Sequence, residues 1–273
     1  MKYIYLILAV FLITSCNESQ ITDNTTPEVD LMEIAKQIGK EHNIILNEVS
    51  KKLKAEKHLS FDVIDNITFE ATVDYAMSNN VNNIDVETIR TFTRDGMNIG
   101  RRTNLVSKKG PKATIIEISN VGDALTEIEI KYLDLLNTVV QDYSQNNQLF
   151  DKEIGVLEQQ LEQHEVAEII NILIALEIAK NSREYWVNNL GEWIALAAKS
   201  GNKSKFNDSM VSRMDWGDVV LSDIAGGIGA AVTTGVINVV PGAGQVAYGG
   251  AIAAGSAGAS AINLTYQVFS RWF

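Results

Sequence analysis

Chemistry in this 273-residue chain has few candidates to draw on: three histidines, one cysteine and several clustered glutamates. His42 falls on an apolar helical stripe between Ile38 and Ile45, with Asn43 and Gly39 beside it. As a general base it needs an orienting carboxylate and a nucleophile within reach, and the sequence names neither. It reads as a core histidine whose ring nitrogens are bonded inside a helical bundle. His164-Glu165 begins a metalloprotease-like string, but Glu168 stands where HExxH needs its second histidine. The run Glu158, Glu162, Glu165, Glu168 reads as a solvated helix face, because a di-metal cage needs matching acids on facing helices. Trp186 and Trp193 are seven residues apart, a helical spacing that places them in a core and not on a ligand platform. No GxGxxG, GxxxxGK[ST] or G-x-S-x-G string occurs. The expectation is a protein without cofactor, metal or catalytic site.

Cys16, the only cysteine, carries a different chemistry. Residues 1–15, MKYIYLILAVFLITS, run from a single basic residue through an apolar stretch to a small pair, the order of a secretory signal. Ile13-Thr14-Ser15-Cys16 resembles the lipobox of lipoprotein signal peptides. That resemblance implies cleavage before Cys16, lipidation of its thiol and anchorage in a membrane of the cell envelope. Asn17 is not the aspartate that retains some lipoproteins in the inner membrane, which points to the outer membrane. Residues 16–30 are polar and acidic and read as a flexible tether. A secreted chain without a second cysteine has no internal disulfide, so packing must hold it together. The net charge of −11 argues against nucleic-acid binding, which needs Lys and Arg to neutralise phosphates.

The elements that must position these residues are helical. Apolar residues recur at three- and four-residue spacing from Leu31 to Leu53, from Phe61 to Ser78, and from Asp123 to Tyr143. A long helix is expected over Phe150–Lys180, with another beginning near Ser182 and stacking Trp186, Leu190, Trp193 and Ala197. Asp85 is placed to cap a short helix through Phe92. The stretch Arg90–Lys112 holds seven basic residues against Asp95 and is punctuated by Gly96, Gly100 and Gly110-Pro111. It reads as a solvated basic loop, with contact to an anionic surface as the alternative. Ala113–Ser119 reads as a connector or a helical turn. The body, 31–215, is therefore an all-α helical bundle.

The tail, 216–273, differs in kind. Ile224–Ser270 contains forty-seven residues without a charge, of which twenty-one are Gly or Ala. Pro241-Gly242-Ala243-Gly244 divides it into the arms of a helical hairpin. Gly227, Ala231 and Gly235 recur every fourth residue in the first arm; Ala247, Ala251, Gly255 and Ala259 do so in the second. Such rows let helix backbones approach closely, as in a glycine zipper. The hairpin is expected to associate with a membrane or with a second copy, burial against the body being the competing arrangement.

Three further segments carry a resemblance: Gly39-x-x-His42-Asn43-x-x-Leu46, Ala179-x-x-Ser182-x-x-Tyr185-Trp186, and Asp223-Ile-Ala-Gly226-Gly227. Together they resemble a group of uncharacterised exported bacterial lipoproteins with a helical body and a glycine-zipper-like C-terminus. The resemblance implies a fold and an address but no activity. The tail is also similar in texture to the hydrophobic hairpin of pore-forming colicins and to GxxxG-bearing bacteriocins, although their cationic surroundings are missing. The reading is a non-enzymatic envelope lipoprotein whose body is an interaction module, with a membrane-active toxin as the alternative.

Overall fold

A computed structural model describes residues 30–79, 84–107, 113–198, 215–234 and 243–269. Among them lie nine α-helices and no strand. They are α1 (Leu31–Ala55), α2 (Phe61–Asn79), α3 (Val86–Ser107), α4 (Ile115–Ser119), α5 (Glu127–Tyr143), α6 (Asn147–Leu161), α7 (Ile170–Ala198), α8 (Trp216–Thr234) and α9 (Ala243–Phe269). The all-α bundle read from the apolar spacing is what the chain forms. Cys16 and Gly235 lie outside the described residues.

Local chemistry starts these helices where the sequence provides acceptors. Asp30 caps α1, its Oδ1 accepting from the backbone N–H of Met32 and Glu33 at 3.0 and 3.2 Å. Asp85 does the same for α3 through Thr88 N–H at 2.9 Å. Thr114 with Glu117, and Thr126 with Glu129, form reciprocal capping boxes on α4 and α5. Asn120, at a left-handed φ of 59°, ends α4 after little more than one turn.

Two expectations are corrected. The helix expected over Phe150–Lys180 is two helices, separated by a turn containing a short 3₁₀ segment at Val166–Glu168. Glu158 stays within α6 and pairs with Lys180, whereas Glu162, Glu165 and Glu168 fall in the turn. They are consequently not one solvated helix face. The second part instead runs unbroken through Ser182, since no Gly or Pro interrupts Ile170 to Leu190.

The stretch from Arg90 is not a loop either; α3 continues to Ser107. Its glycines are contact points. A Cβ on Gly96 would overlap the carbonyl oxygen of Gly255, and one on Gly100 that of Ala259. Gly96 and Gly100 are four apart, so they lie on one face of α3 and let its backbone rest directly on α9. The glycines cost helix propensity, roughly 1 kcal/mol each against alanine, which this packing must offset.

At the centre of the bundle is α9, which packs against α1, α2, α3 and α8. Every residue from Ala251 to Thr265 is buried. Its polar side chains are largely bonded: Asn263 Nδ2 donates to the Gly100 carbonyl at 3.3 Å, Gln267 Nε2 to Asn263 Oδ1 at 2.8 Å, and Thr265 to the Ala261 carbonyl at 2.7 Å. Among the described residues no helix is long and apolar enough to cross a membrane.

Candidate functional site

His42 is drawn into the interior by the glycine one turn before it. A Cβ at Gly39 would stand 2.5 Å from Asn181 Nδ2 and 2.7 Å from the Glu177 carbonyl, so only glycine lets α1 approach α7 this closely. The imidazole then meets two other helices. Its Nε2 lies 3.1 Å from Oδ1 of Asp223 on α8, and both side chains are 0% exposed. Its Nδ1 lies 2.8 Å from Oδ1 of Asn43. The other Asp223 oxygen accepts from the Ser182 hydroxyl at 2.5 Å and from Trp186 Nε1 at 3.2 Å, both on α7. Ser182 and Trp186 are one turn apart and so reach the same carboxylate.

The carboxylate and hydroxyl that the sequence did not name for His42 are therefore present, but in the wrong order for catalysis. In a nucleophilic triad the imidazole stands between acid and hydroxyl and takes the hydroxyl proton. Here the carboxylate stands in the middle, and the hydroxyl donates to it. His42, Ser182, Trp186 and Asp223 are all fully buried. The arrangement ties three helices together, with the hydroxyl donating to the carboxylate and not to the imidazole.

An aromatic layer covers one side. Trp186 meets Tyr185 and Trp193 edge-on, with ring centroids 5.0 and 5.3 Å apart, and Trp193 Nε1 donates to the Tyr185 hydroxyl at 3.0 Å. Burial pushes the Tyr185 hydroxyl well above the usual tyrosine range; the Trp193 bond opposes this, and the charges of Glu192 and Asp223 add to it. Trp186 and Trp193 are thus core residues. At the edge of this layer Glu192 accepts from Ser50 and pairs with Lys54. These bonds hold its carboxyl below the usual range.

The other candidates sit apart. His164 packs edge-on against Tyr132, with Nε2 3.4 Å from the Tyr132 hydroxyl. Glu158 pairs with Lys180 at 2.9 Å. Among the described residues no group of three or more His, Cys, Asp or Glu is placed to hold a metal. Two crevices of about 470 Å³ open on the surface, one between α6 and α7 and one where α3, α8 and Asn120 meet.

The small residues divide by direction. Gly227 turns toward Ile178 of α7, and Ala231, one turn on, is buried. Gly227 also comes within van der Waals reach of Ser256 on α9, while Gly226 and Ala230, one position earlier, stand against Gly255 and Ala259. Ala251, Gly255 and Ala259 are buried along α9, and Ala247 lies in its first turns.

No family model, curated protein or solved structure matches this chain. The three resemblance-bearing segments nevertheless meet in space, since His42, Ser182, Trp186 and Asp223 each belong to one of them. Sequence reasoning missed Asp223 as the partner of His42. The available signal was its position as the last charge before the uncharged tract.

Proposed function

We propose that this chain is a non-enzymatic lipoprotein of the cell envelope, anchored through Cys16 and held off the membrane by residues 17–30. Its helical body presents an amphipathic exterior to a partner. Residues 224–270 form a Gly/Ala-rich hairpin that serves as the internal spine of that body. The observation that carries the non-enzymatic reading is closure: the His42–Asp223–Ser182 grouping is fully buried, with its hydroxyl committed to the carboxylate.

The burial of α9 supports the spine reading over membrane contact or self-association, because its small-residue face is already occupied by α3 and α8. Polar side chains bonded along α9 weigh in the same direction against a membrane-inserting toxin. Mass spectrometry of the mature N-terminus tests the anchor: a diacylglyceryl group on Cys16 is expected, and an unmodified Cys16 or an uncleaved leader contradicts it. Dye release from anionic liposomes tests the toxin alternative, and none is expected between pH 4 and 7.

A further inference from the structure

We infer that the crevice between α6 and α7 binds a free α-amino acid with an apolar side chain, its carboxylate received by Arg183 and its ammonium by the carboxylates of Asp151 and Glu184. The inference does not depend on the lipid anchor. Arg183 is only 6% exposed, yet it lines this opening of about 470 Å³. Its guanidinium is held in one orientation. Nε donates to the Ser144 carbonyl at 3.0 Å, Nη2 donates to Asn147 Oδ1, and Cζ lies 4.8 Å from the centre of the Phe150 ring. These partners are neutral, so apart from the partial negative end of α5 at Ser144 they leave the charge uncompensated. Among the described residues Arg183 forms no ion pair, and its two bonded nitrogens leave the Nη1 edge to a ligand. An arginine buried to this degree ordinarily has an anion beside it. Asp151 acts on it only through space, and burial holds the guanidinium below its ordinary pKa.

The rest of the lining selects the ligand. The second cation, Lys180, is committed to Glu158 at 2.9 Å and to Glu177. Asp151 on α6 and Glu184 on α7 are exposed at the rim and form no ion pair among the described residues. Two uncommitted carboxylates beside one receptive guanidinium repel phosphate or a dianion. They suit a molecule that carries an ammonium and a carboxylate on the same carbon. Ile154, which is buried, and Val187, which is exposed, give the crevice an apolar wall for a side chain. The volume lies within the ~300–1,000 Å³ common to small-molecule sites.

Equilibrium dialysis of the full-length chain in detergent against labelled leucine tests this. Saturable binding is expected. Leucinamide, which lacks the carboxylate, and isocaproate, which lacks the ammonium, should each compete ~10-fold or more less well than unlabelled leucine, since each loses one charge-assisted contact. Asp151→Asn/Glu184→Gln changes only exposed side chains and should weaken leucine by a similar ~10-fold or more. Arg183→Gln should abolish binding. That variant also loses the ties to Ser144 and Asn147, so the wild-type competition series and the double variant decide where it does not fold. Absence of saturable leucine binding overturns the site. Isocaproate or inorganic phosphate competing as well as leucine overturns the amino-acid assignment. Unchanged leucine binding in the double variant places the ligand elsewhere and overturns the inference equally.

Discussion

At the residue scale, the interior holds polar groups whose cost depends on their partners. Glu41 is the clearest. Its Oε1 accepts from Gln37 at 2.8 Å, but Oε2 is buried toward Gly250 without a hydrogen-bond partner. Burial raises its pKa above the ordinary 4.5, and the Gln37 bond only partly opposes this. The folded protein therefore binds that proton more tightly than the unfolded chain does. The resulting instability is fully present above the raised value and fades as pH falls through it. Glu41→Gln should accordingly raise Tm at pH 7 to 8, and the two proteins should converge below about pH 4.5. A lower Tm for the variant at pH 7 would contradict this account of Glu41. Tyr185→Phe acts in the opposite direction, because it strands the indole N–H of Trp193. It should cost about 1–3 kcal/mol in urea denaturation.

At the scale of elements, glycine has two meanings here, and spacing alone separates them poorly. Gly96 and Gly100 resemble loop punctuation beside Asp95 and the basic residues, yet they are where α3 meets α9 backbone to backbone. Gly155 of α6 and Gly191 of α7 have nothing within 4 Å of a built Cβ. Gly96→Ala should therefore destabilise by about 2 kcal/mol or more, since the overlapping atom is a carbonyl that cannot move alone. Gly155→Ala should stabilise by roughly 0.5–1 kcal/mol through helix propensity. Equal effects at the two sites in thermal denaturation would mean that α3 and α9 are not in backbone contact. The amphipathic helices α1 and α5 were legible because each buries an apolar stripe that one-dimensional spacing reports. The break between α6 and α7 was not, because apolar residues continue through it and no Gly or Pro marks it.

At the scale of the molecule, the sequence reports a helical bundle and an uncharged tail, but not where the tail goes. Periodicity records which face of a helix is apolar; it does not record whether that face meets lipid, a second copy or the same chain. The answer lies in pairings across long separations, Gly96 with Gly255 and His42 with Asp223, which no local window contains. The candidate site was half visible for the same reason. His42, Ser182 and Trp186 could each be singled out, but the carboxylate joining them could not. In the proposed function the uncharged pair is the inner spine of an envelope protein held to the membrane by lipid alone. Fractionation of cells expressing wild type and Cys16→Ser, with a carbonate wash of the membranes, tests it most directly. Wild type should stay in the washed membranes and Cys16→Ser, once its leader is removed, should become soluble. Retention of leader-free Cys16→Ser in washed membranes would make residues 224–270 a membrane element and contradict the claim.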